Sequence, residues 1–303
     1  MTESQALVPY FEAPPVQKAI DGVYQAPRPG RSWRSGLRTV VLLSGSVGIG
    51  TGVALGWFGL APAAVMAVGL AAAQVLGQSY LQNRLGQDVM GGIAGGDLER
   101  ALHAAEAALE ESPGGAMRTL AAANLASVLM QLDRLHDGAS VLDRWPPGFL
   151  HMPLSTVLWL NNRAFASLAL EEEPAFAGRL LDEADQRLVR AGVRGFGGAH
   201  NFHKISSALH GTRAMERLAA KEPRQALHHL SCAAELDEGA AAPFRLVERE
   251  LCRAAALQQV GRRDEAVLVA ASLRDLPLTV RQRARLDALE EEAFGSREKT
   301  HEA

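Results

Sequence analysis

The sequence holds only two cysteines, Cys232 and Cys252, among 303 residues. Two thiols are too few for a disulfide framework or a zinc site, and they suit a reducing cytoplasm, where both read as small core residues. Aromatic residues make up 5% of the chain and β-branched runs are few, which argues against a sheet-based fold. Positive charge is nowhere dense enough on one face to hold nucleic acid, so neither DNA nor RNA is expected as a partner. Charge itself is missing between Arg38 and Arg84, a gap of 45 residues. A gap of that length is too long for one membrane span and fits two.

Inside the gap, "VVLLSGSVGIGTGVALGWFGL" (40–60) has many glycines but not the spacing of a nucleotide loop. A G-x-G-x-x-G frame from Gly48 or Gly50 ends on Val53 or Leu55, and a P-loop frame from Gly45 meets Thr51 where lysine is required. A period of four does fit. Ser44, Gly48, Gly52 and Gly56 share one helical face, and Gly69, Ala73 and Gly77 repeat the pattern further on, the small-residue spacing through which membrane helices touch. Thr39 to Phe58 and Ala63 to Gln82 are each 20 residues, about 30 Å as helix, with Gly59 to Pro62 as the turn. The small faces serve either the hairpin itself or contact between copies, so a homo-oligomer through the hairpin is an open expectation.

Arg28, Arg31, Arg34 and Arg38 precede the first span and the turn is uncharged, so the positive-inside rule keeps the N-terminus in the cytoplasm, and two spans return the chain there. The expected location is the inner (cytoplasmic) membrane with both termini cytoplasmic. A cleavable signal ending at Ala61 to Ala63 is the weaker reading, because a second span would remain. Residues 1–38 carry a net charge of +2 and include the proline-rich "VPYFEAPPVQ" and "QAPRPGR", a disordered tail ending in a basic juxtamembrane segment. Residues 84–303 carry −5.

From Asp88 onward, alanine, leucine, glutamate and arginine dominate, with glycine or proline between helix-length segments. That pattern predicts an all-α fold. Five segments share a layout in which a turn leads to alanine: Ala101, Ala139, Ala177, Ala226 and Ala266, spaced by 38, 38, 49 and 40 residues. Apolar helices expected at 116–132, 155–170, 201–219 and 243–260 precede all but the first. Paired helices at this period indicate an α-solenoid, each pair burying its apolar face on the next. "GGDLERALHAAEAALEESP", with Ala101, Ala108 and Pro113, and "LCRAAALQQVGRRDEAVLVAASLRDLP", with Gly261, Ala266 and Pro277, resemble the tetratricopeptide repeat family. The resemblance covers roughly 88–277, although the periods exceed the family's 34 and "RAGVRGFGGAHNFHK" inserts a glycine-rich link. The expected organisation is a tail (1–38), a two-helix transmembrane hairpin (39–82), a tetratricopeptide-like solenoid (83–294) whose last helix, 279–294, is a cap, and a disordered end (295–303).

Candidate chemistry is thin. His200, His203 and His210 fall near one helical face, but no carboxylate accompanies them, and one helix cannot enclose an ion. His228 and His229 point to different sides of their helix. Glu171, Glu172 and Glu173 before Pro174 suit a helix N-terminus better than paired catalytic carboxylates. Gly192, Gly195, Gly197 and Gly198 follow no strand and so form no phosphate loop. No catalytic, metal or cofactor-binding residue is assigned, and no enzyme activity is expected. The hydrolase or metal-enzyme alternative would use the 191–213 segment. The resemblance implies another use, because Asn124 and Asn162 stand 15 residues before their units' alanines, where the family's asparagines hydrogen-bond an extended peptide. Leu120, Asn124, Ser127, Leu158, Asn162 and Phe165 are the expected peptide contacts, with Arg163, Lys204 and Arg213 adding positive charge for a carboxylate. The expectation is a scaffold for protein or peptide partners that assembles a membrane complex. Its rival is a self-associating hairpin regulated by the helical domain.

Overall fold

The computed structural model of the protein describes residues 49, 60–112, 115–148, 153–195, 198–237, 243–276 and 278–301. Eleven helices and no strand occur among them. They are α1 (Leu60–Gly95), α2 (Leu98–Glu110), α3 (Gly115–Gln131), α4 (Leu135–Arg144), α5 (Pro153–Ala169), α6 (Pro174–Gly195), α7 (Ala199–Ala219), α8 (Pro223–Asp237), α9 (Pro243–Gln259), α10 (Arg263–Leu273) and α11 (Val280–His301). The predicted apolar helices coincide with α3, α5, α7 and α9 to within two residues at either end.

Local chemistry places the helix ends. Proline opens α5, α6, α8 and α9, where its missing N–H is not needed and its fixed φ is already helical. Asp97 caps α2 by accepting the Arg100 N–H at 3.0 Å. Each of α1, α3, α5, α7 and α9 ends in a left-handed residue: Gly96, Asp133, Glu171, Lys221 and Gly261, with φ of 74°, 58°, 58°, 61° and 84°. After the last four, the next N–H reaches back to a carbonyl in the final helical turn: Arg134 to Leu129, Glu172 to Ser167, Glu222 to Arg217 and Arg262 to Leu257. This bond satisfies carbonyls that a helix end leaves unpaired. The five turns are 37, 38, 50 and 40 residues apart, and Ala101, Ala139, Ala177, Ala226 and Ala266 follow them, all buried.

Five consecutive helix pairs result, followed by α11. Each helix packs on its neighbours in sequence, and α1, α3, α5, α7 and α9 stack on one another as an inner row. The core is correspondingly divided along the array. One cluster joins α1 to α5 around Leu109, Leu125, Leu129 and Leu142, a second joins α5 to α7 around Val157 and Leu181, and two more join α7 to α9 and α9 to α11. Small residues allow close helix contact. A Cβ added at Gly92 in α1 would stand 2.8 Å from the Ala101 backbone nitrogen, so nothing larger than glycine fits there without movement of α2.

Two boundaries differ from the sequence reading. α1 runs without interruption across residues 82 and 83, and its C-terminal half is the first inner helix, with Val89 and Ile93 buried against α2. The reason is physical continuity: nothing between Gln82 and Gly95 breaks a helix, and leucine, valine and isoleucine at 85, 89 and 93 supply one apolar stripe. At the other end α11 continues to His301, beyond the Phe294 boundary drawn for the cap. Gly192 interrupts α6 with a non-helical φ of 55° and ψ of −173°. The expected first span, Thr39 to Phe58, with Ser44, Gly48, Gly52 and Gly56, lies outside the described residues, as does the tail. Gly69, Ala73 and Gly77 belong to the α1 backbone, and their surroundings are likewise outside what is described. Among the described residues, no helix is long and apolar enough to cross a membrane.

Candidate functional site on the inner helix row

The six expected peptide contacts lie on α3 and α5 in the inner row. Leu120, Asn124 and Ser127 are half-buried on one face of α3. Leu158 and Phe165 are half-buried on α5, and Asn162 is buried. Their environments differ. Asn162 donates through Nδ2 to the Ala123 carbonyl of α3 at 2.9 Å, and its Oδ1 accepts from Asn161 Nδ2 at 3.4 Å. Asn161 Oδ1 in turn accepts the Thr212 hydroxyl of α7 at 2.9 Å. These amides link three inner helices through buried hydrogen bonds, which are costly to break because each freed group would be stranded away from water. Leu158 packs against both flanking apolar clusters.

Phe165 meets residues far along the chain. Its ring lies 6.1 Å from that of Phe244 in α9 at an interplanar angle of 65°, and the Arg281 guanidinium stands 5.8 Å from its centroid. Arg281, in the first turn of α11, donates its backbone N–H to Asp133 Oδ2 at 3.0 Å and its side chain to Glu248. Glu248, only 4% exposed, also accepts from Gln282 at 2.8 Å and Arg285 at 2.6 Å. A buried carboxylate is tolerable when it is so fully paired. The start of α11 therefore closes the inner face against the α3–α4 turn, leaving the half-buried strip of α3 beside it.

Arginine on each of α5, α7 and α9 reaches back to a carboxylate on the preceding outer helix. Arg163 binds Asp143 at 2.8 Å and also Glu172 at 3.1 Å. Arg213 binds Asp182 at 2.8 Å and Asp185 at 2.7 Å. Arg249 pairs with Asp237 and donates to the Ser207 carbonyl at 3.0 Å. Burial opposes the charge on Arg163 and Arg213, yet hydrogen bonds to these carboxylates more than offset it and raise both pKa values. Burial likewise opposes ionisation of Glu172, and hydrogen bonds from Arg163 and Ser167 together with the charge of Arg163 outweigh it, lowering its pKa. Arg163 and Arg213, expected to offer charge to a ligand, are engaged within the array, and Lys204 is half-buried. The sequence signal was an aspartate on each outer helix, but the separations of 20, 28 and 12 residues obscure it.

The histidines are arranged differently from the sequence pattern. His210 meets His229 of α8, with Nδ1 to Nδ1 at 3.0 Å, while His228 lies 3.8 Å from Cys232 Sγ. His200 is exposed and His203 half-buried beside Phe202. Burial lowers the pKa of His210 and takes that of His229 to about 4, with His210 and Arg213 adding to the effect on His229. Among the described residues, no three His, Cys, Asp or Glu side chains are grouped to hold a metal ion. Burial pushes the Cys252 thiol up to about 12, which keeps it protonated and unreactive. Glu171, Glu172 and Glu173 lie in the α5–α6 turn.

No family model, no curated protein and no solved structure matches this chain.

Proposed function

We propose that the protein is a membrane-anchored, tetratricopeptide-like scaffold at the cytoplasmic face of the inner membrane, holding a protein or peptide partner on the inner row of its helices. It does no chemistry of its own. The observation that carries this reading is the contrast between neighbouring inner helices: Asn162 of α5 is buried in internal hydrogen bonds, whereas Leu120, Asn124 and Ser127 of α3 remain half-buried on one face. An extended peptide uses such a strip by placing apolar side chains on leucine and backbone groups on asparagine and serine. The uncharged stretch before Arg84 supplies the anchor, and the small-residue faces of its two expected spans are where copies of the chain would meet.

The test compares co-purification from native membranes of the full chain and of Leu120→Ala/Asn124→Ala, with bound proteins identified by mass spectrometry. Asn162 is unsuitable for substitution because losing its bond to Ala123 would weaken the fold itself. A partner retained by the unaltered chain and lost by the variant is expected. Identical sets from both would remove the inner row as the binding surface. Extraction with alkaline carbonate checks the anchor independently, since an inserted hairpin stays in the membrane pellet.

A further inference from the structure

The longest acid-free stretch after Arg84 is 186–215, which holds Arg187, Arg190, Arg194, Lys204 and Arg213. Its first part is the end of α6, on both sides of the Gly192 interruption. There Arg190 and Arg194 are exposed, and so are two apolar side chains, Val189 at 79% and Val193 at 43%. The two valines thus set apolar surface among the arginines. The nearest carboxylates of α6 are already engaged: Asp182 and Asp185 by Arg213, and Glu183 by Arg187 at 2.7 Å.

The place of this surface in the fold says what it faces. Gln82 of α1 donates to the Ala108 carbonyl near the end of α2 at 3.0 Å, so the end of α2 is level with the end of the expected second span. α3 leads away from that level. α5 runs alongside it in the same direction: Asn162 and Ala123 meet at mid-helix, and Arg281 joins Phe165 near the end of α5 to Asp133 just past the end of α3. The last residue of α6 returns to the start of α5, where a Cβ on Gly195 would lie 3.6 Å from Pro153. The ends of α2 and α6 and the starts of α3 and α5 thus share the end of the array from which α1 departs. Beyond Gln82, α1 continues for 22 residues to Leu60, about 33 Å of helix. Tyr80, 70% exposed, stands on α1 at this level, where membrane proteins place amphipathic rings. The opposite end of α5 carries Glu171, Glu172 and Glu173.

We propose that the end of α6 on both sides of Gly192, with Arg187, Arg190 and Arg194 around Val189 and Val193, rests on anionic lipid headgroups beside α1. The proposal rests on the membrane-anchor reading above. Arginines meet the negative leaflet surface while the valines enter its apolar boundary, and the acidic end of the array points away. Docking would set the tilt of the whole array on the membrane and hold the α3 strip at a fixed height for its partner.

The experiment is hydrogen exchange of the full chain in nanodiscs of phosphatidylcholine alone and of phosphatidylcholine with phosphatidylglycerol. Amides of 187–195 are expected to exchange roughly tenfold more slowly in the anionic lipid. Arg190→Glu/Val193→Ser should abolish that slowing and leave α2 to α5 unchanged, since both side chains point to solvent. Equal exchange in the two lipids overturns the proposal. Slowing that instead requires added RNA or an acidic protein overturns it in favour of that partner. Carbonate extraction separates the two readings: a chain released by carbonate removes the anchor, whereas an inserted chain with unprotected 187–195 removes only the docking surface.

Discussion

His210 and His229 touch through their Nδ1 atoms, an arrangement in which one ring donates and the other must be neutral to accept. Protonating both would place two positive charges together, near Arg213 and Arg249 and only partly relieved by Asp185. The folded pKa of His229 is about 4, below the unfolded value of about 6.5. Between these values the unfolded chain binds more protons, so stability is fully present above about pH 6.5 and is lost as pH falls towards 4. Because the pair is half exposed, the expected loss is about 1–2 kcal/mol rather than the full linkage value. Urea unfolding at about pH 7.5 and about pH 5 measures it, and His229→Gln should flatten the difference. An unchanged wild-type midpoint would contradict the assignment. Neither the pair nor its depressed titration was legible in the sequence, which offered His200, His203 and His210 by helical spacing. Spacing describes one helix, and this contact spans two.

The turns between inner and outer helices invite a test at the scale of the element. Lys221 is exposed and holds a φ of 61°, a conformation that costs a residue with a Cβ about 1 kcal/mol or more. Lys221→Gly should therefore stabilise the fold by about 1 kcal/mol, read as a higher urea midpoint. Gly92→Ala should do the opposite. Its methyl would press on the Ala101 backbone rather than on a movable side chain, so a loss of about 1–3 kcal/mol is expected. Most of this level was readable beforehand. Prolines at 153, 174, 223 and 243 mark helix starts, and the buried alanines at 101, 139, 177, 226 and 266 mark the repeat. The first inner helix escaped notice because its sequence continues an uncharged stretch and no breaker separates the two.

Over the whole molecule, stability in a stacked array is a sum of neighbour contacts, and Arg281 is an exception to that locality. Its bond to Asp133 spans 148 residues. Its guanidinium also stands 3.8 Å from Asp133 Oδ1. Arg281→Ala keeps the backbone bond but removes this charge contact, and it should cost about 1–3 kcal/mol, because Glu248 keeps Gln282 and Arg285 but loses one donor. Hydrogen exchange should quicken in α11 and at the α3–α4 turn together, while α7 and α8 stay protected. Quickening confined to α11 would mean that the long-range contact adds nothing.

The amino-acid sequence by itself determined the helical class, the paired repeat and the bounds of four inner helices, α3, α5, α7 and α9. These follow from short-range physics: proline and left-handed turn geometry, apolar periodicity, and alanine where helices approach. Only the tertiary structure decided which side chains remain open. Asn124 and Asn162 are equivalent in the repeat, yet Asn162 is buried against the Ala123 carbonyl, while Phe165 is covered by Phe244 and Arg281. That difference arises from how far each helix is rotated and shifted against the next. Such offsets accumulate along the array, so contacts as distant as Arg281 with Asp133 depend on every intervening pair.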